Sequence, residues 1–276
     1  MNVFPYLWAA FGLVIGSFLN VCIYRLPRRE SIVFPSSHCP HCGQAVRPYD
    51  NVPVLSYLWL RGKCRFCRQP IALQYPLVEL LTGLAFFACA VEWSLTPPAF
   101  VNSLFLSVIL VLVFVDYHHQ ILPNVLTLPG VLAGIVLSPL QSETFFRDSI
   151  SENLAAFVSS AHAGAVLPWA GSLLGALAGG GILLLVGTVY QALRRRQGLG
   201  MGDVKMIAMV GAFLGWRLTL LTIFAGSFLG SIVGIVLVLF GGRTLQSKLA
   251  FGTFLGVASA LSLFFGLTIV RWYAGG

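Results

Sequence analysis

A chain of 276 residues with 57% hydrophobic and only 9% charged side chains, at a mean hydropathy of +0.86, is too apolar for a soluble domain and needs a bilayer around its long apolar runs. The net charge of +8 does not point to a nucleic-acid partner. The basic residues lie between the apolar runs, where they act as orientation signals.

The first apolar run covers 4–24 and is stopped by Arg25, Arg28 and Arg29. It lacks a basic start and a small-residue cleavage site, so a retained span is expected rather than a removable signal. A polar insert follows over 25–72. Further spans are expected at 73–91, 100–115 and 121–137, with Tyr117-His118-His119-Gln120 as a tight polar break. A mildly acidic loop then carries Glu143, Arg147, Asp148 and Glu152, and its later part around 161–167 reads as an interfacial segment. The remaining spans are expected at 169–193, 204–216, 218–240 and 249–270, the sixth and seventh being open to a reading as one re-entrant hairpin. The expected fold is therefore all-α and polytopic, with about eight transmembrane helices. Its parts are a first helix (1–24), a cysteine-bearing insert (25–72) and a membrane domain (73–276).

Charge orients this arrangement. If the insert faces the cytoplasm, alternation puts 117–120, 192–205 and 241–249 there too, and those segments hold all but three of the 17 Lys and Arg residues. Only Arg147, Arg217 and Arg271 fall on the other side, which places the amino terminus outside.

Two acids then meet at one membrane face. Asp116 ends the third span and Asp203 opens the sixth, both on the cytoplasmic side. Asp203 lies in Gly198-Leu199-Gly200-Met201-Gly202-Asp203-Val204-Lys205, where glycines allow a bent backbone and close approach of another chain. On that stretch alone, a helix cap and a functional acid at the edge of hydrocarbon remain equally open. The convergence with Asp116 favours function. Glu79, about two turns into the second helix, is the third acid inside the membrane domain, as a catalytic group or a helix-pairing residue.

Two carboxylates within hydrogen-bond reach share one proton. The ionised one can deprotonate water while the protonated one polarises a peptide carbonyl, so the pair can hydrolyse an amide without a covalent intermediate. No Gly-x-Ser-x-Gly or His-Glu-x-x-His run offers another route. His118 and His119 read as turn residues before they read as ligands. A lone intramembrane acid also suits a proton-coupled transporter, the rival class, although no internal repeat is visible. A non-catalytic assembly factor is a third reading. Glycines spaced by four (Gly12/Gly16, Gly171/Gly175/Gly179, Gly211/Gly215, Gly226/Gly230/Gly234) read as close helix-packing faces.

The insert holds two C-x2-C knuckles, Cys39-Pro40-His41-Cys42 and Cys64-Arg65-Phe66-Cys67, separated by 21 residues. Four thiolates so paired suit a tetrahedral structural zinc in a small ribbon-like fold. Disulfides fit poorly on a cytoplasmic side. Cys22 and Cys89 lie in apolar runs and read as ordinary buried residues.

Gly16-Ser17-Phe18-Leu19-Asn20-Val21 with Tyr24-Arg25-Leu26-Pro27, then Asp50-Asn51-Val52-Pro53-Val54-Leu55-Ser56-Tyr57, Arg61-Gly62-Lys63-Cys64 and Tyr75-Pro76-Leu77-Val78-Glu79-Leu80 resemble the bacterial type IV prepilin peptidases. Asp116 with Leu122-Pro123 resembles that family's first aspartate motif, and Gly200-Met201-Gly202-Asp203 with Lys205 its G-x-G-D motif. The likeness covers nearly the whole chain except about 139–168. It implies a bifunctional inner-membrane enzyme that cuts the basic leader from prepilins and type II secretion pseudopilins at the cytoplasmic face, with Asp116 and Asp203 as catalytic groups. It also implies N-methylation of the new terminus from S-adenosylmethionine, with the zinc insert and Glu79 in the methyl-transferring part. Two positions depart from the pattern: Asn124 replaces an acid common after Leu-Pro, and Thr253 in Phe251-Gly252-Thr253-Phe254-Leu255 stands where proline is expected.

Overall fold

The computed structural model describes residues 3–159, 162–195, 198–240 and 249–273. Nine helices form among them: α1 Phe4–Arg25, the short α2 Leu55–Trp59, α3 Gln74–Trp93, α4 Pro97–His119, α5 Asn124–Leu137, α6 Ser149–Val158, α7 Ala163–Arg194, α8 Met201–Phe240 and α9 Phe251–Tyr273. No strand forms among the described residues; only two isolated β-bridges occur. Six of these helices (α1, α3, α4, α7, α8 and α9) are long and apolar enough to cross a membrane, and α5 is a shorter apolar helix. The chain is a multi-pass membrane protein.

The expected sixth and seventh spans are two halves of α8, divided at Gly215, whose backbone (φ 75°, ψ 169°) leaves helical geometry. A side chain at that φ is strained, and a Cβ would also press on the Phe145 carbonyl oxygen. The segment expected at the interface around 161–167 differs: from Ala163 on it is the first turns of α7. The separate helix is α6, started by Asp148, whose Oδ1 accepts the N–H of Ile150 at 3.1 Å and of Ser151 at 3.0 Å. That N-cap satisfies two donors the helix start leaves free. Ala155 of α6 packs on Leu167 and Ala170 of α7. The turn expected at 241–248, together with Arg196, lies outside the described residues.

The chain divides into two compact units, residues 1–111 and 112–276. In the first, α1 packs along α3 because glycines bring the backbones together. A Cβ on Gly16 would fall 2.6 Å from the Glu79 Cα, and one on Gly12 2.8 Å from the Phe86 ring. Trp8 stacks on Phe86 at 5.5 Å, meets Phe100 edge-on at 4.6 Å and donates its indole N–H to Ser103 Oγ at 2.9 Å. These contacts join α1, α3 and the start of α4.

In the second unit the first half of α8 is the central element. Met206, Ile207, Met209, Val210, Ala212 and Leu214 are fully buried, as expected of a helix apolar on every side, and α5, α7 and α9 pack around α8. Gly175 of α7 and Gly211 of α8 touch backbone to backbone, so a Cβ on either would land on the other's carbonyl oxygen. Gly211→Val is expected to destabilise this unit by about 3 kcal/mol or more through overpacking against backbone that cannot yield. Gly181→Ala, with nothing within 4 Å of its added Cβ, should leave the melting temperature in detergent unchanged and serves as the control.

Candidate active site

Asp116 sits in the last turn of α4 and is only 5% exposed. Its carboxylate is held by the amino-terminal turn of α9: the Thr253 N–H donates to Oδ2 at 2.7 Å and the Thr253 hydroxyl to the same oxygen at 3.2 Å. A helix start presents free N–H groups and a positive dipole end, so α9 is a built anchor for an acid. The contact needs Gly252, because a Cβ there would lie 3.0 Å from both Asp116 Oδ2 and Leu122 Cδ1.

Asp203 is half-buried in the first turn of α8, its N–H bonded to the Gly200 carbonyl at 3.1 Å. The glycines around it have separate reasons. A Cβ on Gly200 would sit 3.1 Å from Asp203 Oδ2, and one on Gly202 2.9 Å from Leu122 Cβ. Leu122 therefore touches both glycine-marked approaches, Gly252 beside Asp116 and Gly202 beside Asp203. The two carboxyl groups lie near enough for the charge of Asp116 to act on Asp203. Both belong to the second unit, and the structure brings them together as the sequence leads one to expect.

Lys205, two residues further along α8, donates Nζ to Asn124 Oδ1 at 2.9 Å. The position that lacks an acid is thus still tied to α8, by a charge–dipole bond in place of an ion pair. His118 and His119 are exposed beyond Asp116 and make no hydrogen bond to it among the described residues. Thr253 is the residue that sequence reasoning missed as part of the site. Its signal was the departure from proline itself, since only a non-proline residue brings an N–H there.

Glu79 lies in the first unit, 8% exposed. Its Oε2 accepts the Val54 N–H at 2.8 Å, and it bonds the Ser17 hydroxyl. It joins α1, α3 and the insert through hydrogen bonds, with no cation paired to it among the described residues.

The four insert cysteines converge, their sulfurs all within 4.8 Å of one another, with Cys39 Sγ and Cys67 Sγ 3.8 Å apart. Zinc–sulfur bonds of about 2.3 Å set tetrahedral edges near 3.8 Å, whereas a disulfide needs about 2.05 Å. The donor set fits a metal ion. The knuckles are built alike: the Cys39 N–H donates to Gln44 O and the Cys64 N–H to Gln69 O, each at 2.9 Å, and Gly43 (φ 68°) and Arg68 (φ 60°) take the left-handed turn after each. Amide N–H groups of Cys67 and Phe66 pointing at Cys64 pull its thiol down to about 7, as suits a thiolate ligand. Arg65 clamps Asp50 through Nε at 2.7 Å and Nη2 at 2.5 Å, holding that carboxyl below its usual range. Cys22 and Cys89 are buried and unpaired.

Fold and site together describe a polytopic membrane protein with paired carboxyl groups where helices start and end, and a separate cysteine-knuckle insert. Residues 10–93 match the bacterial peptidase A24 N-terminal domain and residues 103–235 the type IV leader peptidase family. The chain belongs to the type IV leader peptidase family. A protein of Aeromonas hydrophila is 35% identical over 289 residues, which cover 95% of this chain and 91% of that one. One of Pseudomonas aeruginosa is 32% identical, covering 95% and 90%. One of Myxococcus xanthus is 41% identical over 84% of this chain, which spans 62% of that longer relative. All three are named prepilin leader peptidase/N-methyltransferase. No solved structure matches the chain.

Proposed function

We propose that this chain is a membrane endopeptidase that removes the leader of type IV prepilins and type II secretion pseudopilins and then N-methylates the new amino terminus. The observation that carries the peptidase half is the convergence of Asp116 and Asp203 at the ends of two membrane helices. Asp116, its Oδ2 already occupied by two Thr253 donors, accepts the proton of the attacking water. The water oxygen bonds to the peptide carbon, and a protonated Asp203 donates to the carbonyl oxygen. Asp116 then passes its proton to the leaving amine, the C–N bond breaks, and the carboxyl product returns a proton to Asp203. One proton thus circulates through the pair.

The proposed setting is the bacterial inner membrane, amino terminus outside, with both acids near the cytoplasmic face. There the substrate's basic leader stays in the cytosol while its apolar helix enters the bilayer. Proteolysis is assigned to residues 112–276 and methyl transfer to 1–111. The cysteine set would hold a structural zinc. The buried Glu79 carboxylate, unpaired by any cation among the described residues, suits a donor carrying positive charge, and we assign it to the S-adenosylmethionine side of the site. When bound, that donor would supply an electrophilic methyl group to the lone pair of the terminal amine, with its thioether as the leaving group.

Membranes holding the chain, mixed with a prepilin and followed by mass, test the reading. Loss of the leader plus gain of one methyl is expected, whereas an unchanged substrate would leave the transporter or assembly reading. Thr253 gives a finer check. Thr253→Pro, which removes the N–H, is expected to cut kcat about 10-fold to 100-fold, the worth of a hydrogen bond to a charged group, with KM little changed. Thr253→Ser should restore turnover.

A further inference from the structure

The first unit buries a cation that no acid accompanies. Arg25, at the end of α1, is 6% exposed. Its guanidinium donates to the Ser31 carbonyl at 2.8 Å and the Pro35 carbonyl at 2.7 Å, and no carboxylate lies within ion-pair reach among the described residues. Carbonyl dipoles solvate such a charge without neutralising it, and a buried charge left unpaired is costly. Two of its five N–H donors are spent, leaving a face able to take a carboxylate or phosphate in bidentate fashion.

That arginine lines a cavity of about 570 Å3 between α1 and the loops at 32–37 and 51–53, within the range of small-molecule sites. Its wall is graded. Val14, Phe18 and Val21 give one apolar stripe of α1, while Ser17, Ser37 and Asn51 give hydrogen-bonding groups. Ser17 and Pro53 are also the wall residues next to Glu79, which bonds the Ser17 hydroxyl and the N–H of Val54. The cavity thus has a cation on its lining and a carboxylate directly behind it, beside an apolar surface wide enough for a ring.

We propose that this cavity is the methyl-donor site, with Arg25 receiving the carboxylate of S-adenosylmethionine, the Ser17–Glu79 side facing its sulfonium and amine, and the α1 stripe packing its adenosyl group. The assignment rests on the reading above that S-adenosylmethionine is the donor. A phospholipid headgroup offers Arg25 the same anionic chemistry, so the test separates the two.

The full chain, purified in detergent with its zinc, is titrated calorimetrically with S-adenosylmethionine and with its decarboxylated analogue. Arg25→Met is expected to weaken S-adenosylmethionine at least 10-fold and to bind the analogue as the wild type does, because the lost partner is the carboxylate alone. A merely structural arginine would lower both alike, and that result overturns the proposal. Val14→Trp, three turns from Arg25 on α1, fills the apolar side of the cavity and should abolish binding of both ligands while prepilin cleavage and zinc content stay intact. Unchanged S-adenosylmethionine affinity in both variants sinks the site but not the methyltransferase reading. No binding by the wild type, with methylation failing on added donor, sinks that reading instead. Native mass spectrometry reads the lipid arm: a co-purified phospholipid lost in Arg25→Met, with donor affinity unmoved, assigns the cavity to lipid.

Discussion

Asp116→Asn and Asp203→Asn are each expected to reduce leader cleavage by about 10³-fold or more, the scale of removing a positioned acid or base. Each substitution keeps size and shape, so an effect on folding is not expected. Asp116→Asn retains an oxygen that can accept the Thr253 N–H, which donates at 2.7 Å, and Asp203→Asn sits in a half-buried first turn of α8 with room defined by Gly200. What both lose is the ability to exchange a proton. Because the proposed mechanism has the two groups share that task, the double variant should be scarcely worse than either single one, as for residues acting as a unit. Methylation of a peptide supplied already cut should survive in all three variants. Leader loss persisting in either single variant at anything near the wild-type rate would dismiss the shared-proton mechanism.

Removing the zinc proposed for the insert is expected to unfold the insert outright. Between residues 26 and 72 not one residue is buried, so the segment has no apolar core to fall back on. What shapes it is the sulfur cluster, the knuckle hydrogen bonds and the Asp50–Arg65 clamp. Metal binding contributes on the order of 10 kcal/mol to comparable cysteine sites, while a single ion pair at a protein surface contributes about 1 kcal/mol, and the part-buried Asp50–Arg65 clamp is one such pair. Cys39→Ser with Cys42→Ser, or treatment with a strong chelator, should release one equivalent of zinc, make the insert protease-sensitive and abolish methyl transfer. The effect on leader cleavage should be much smaller, since Asp116 and Asp203 lie in the other compact unit. Full metal content in the double serine variant would refute the ligand assignment.

The helices were legible because apolar runs this long admit few alternatives, and each of the eight expected segments is helical. The glycine spacings were legible too: Gly175 and Gly211 meet backbone to backbone as small residues in membrane helices do, and Gly12 and Gly16 let α1 close on Phe86 and Glu79 of α3. Asp116 and Asp203 emerged from topology alone, because the charge count put two distant acids on one face. Other features depended on contacts that no local pattern encodes. The junction before α7 was misplaced because 161–167 is as apolar as an interfacial segment, and only its packing against α6 tells otherwise. Arg25 read as a stop signal for the first span; its burial beneath the 31–35 loop depends on that loop folding back. Thr253 was visible as an irregularity, but its role needed the position of Asp116, 137 residues away.

The break at Gly215 has a consequence for depth. The half of α8 that carries Asp203 runs about 14 residues before the break, or some 21 Å of rise, against a hydrocarbon slab of about 30 Å. A rod of that length standing alone in lipid would be too short to cross, but α5, α7 and α9 enclose it, so protein rather than bilayer meets its apolar surface. The packing of those neighbours, and not the thickness of the host membrane, then fixes how deep Asp203 stands.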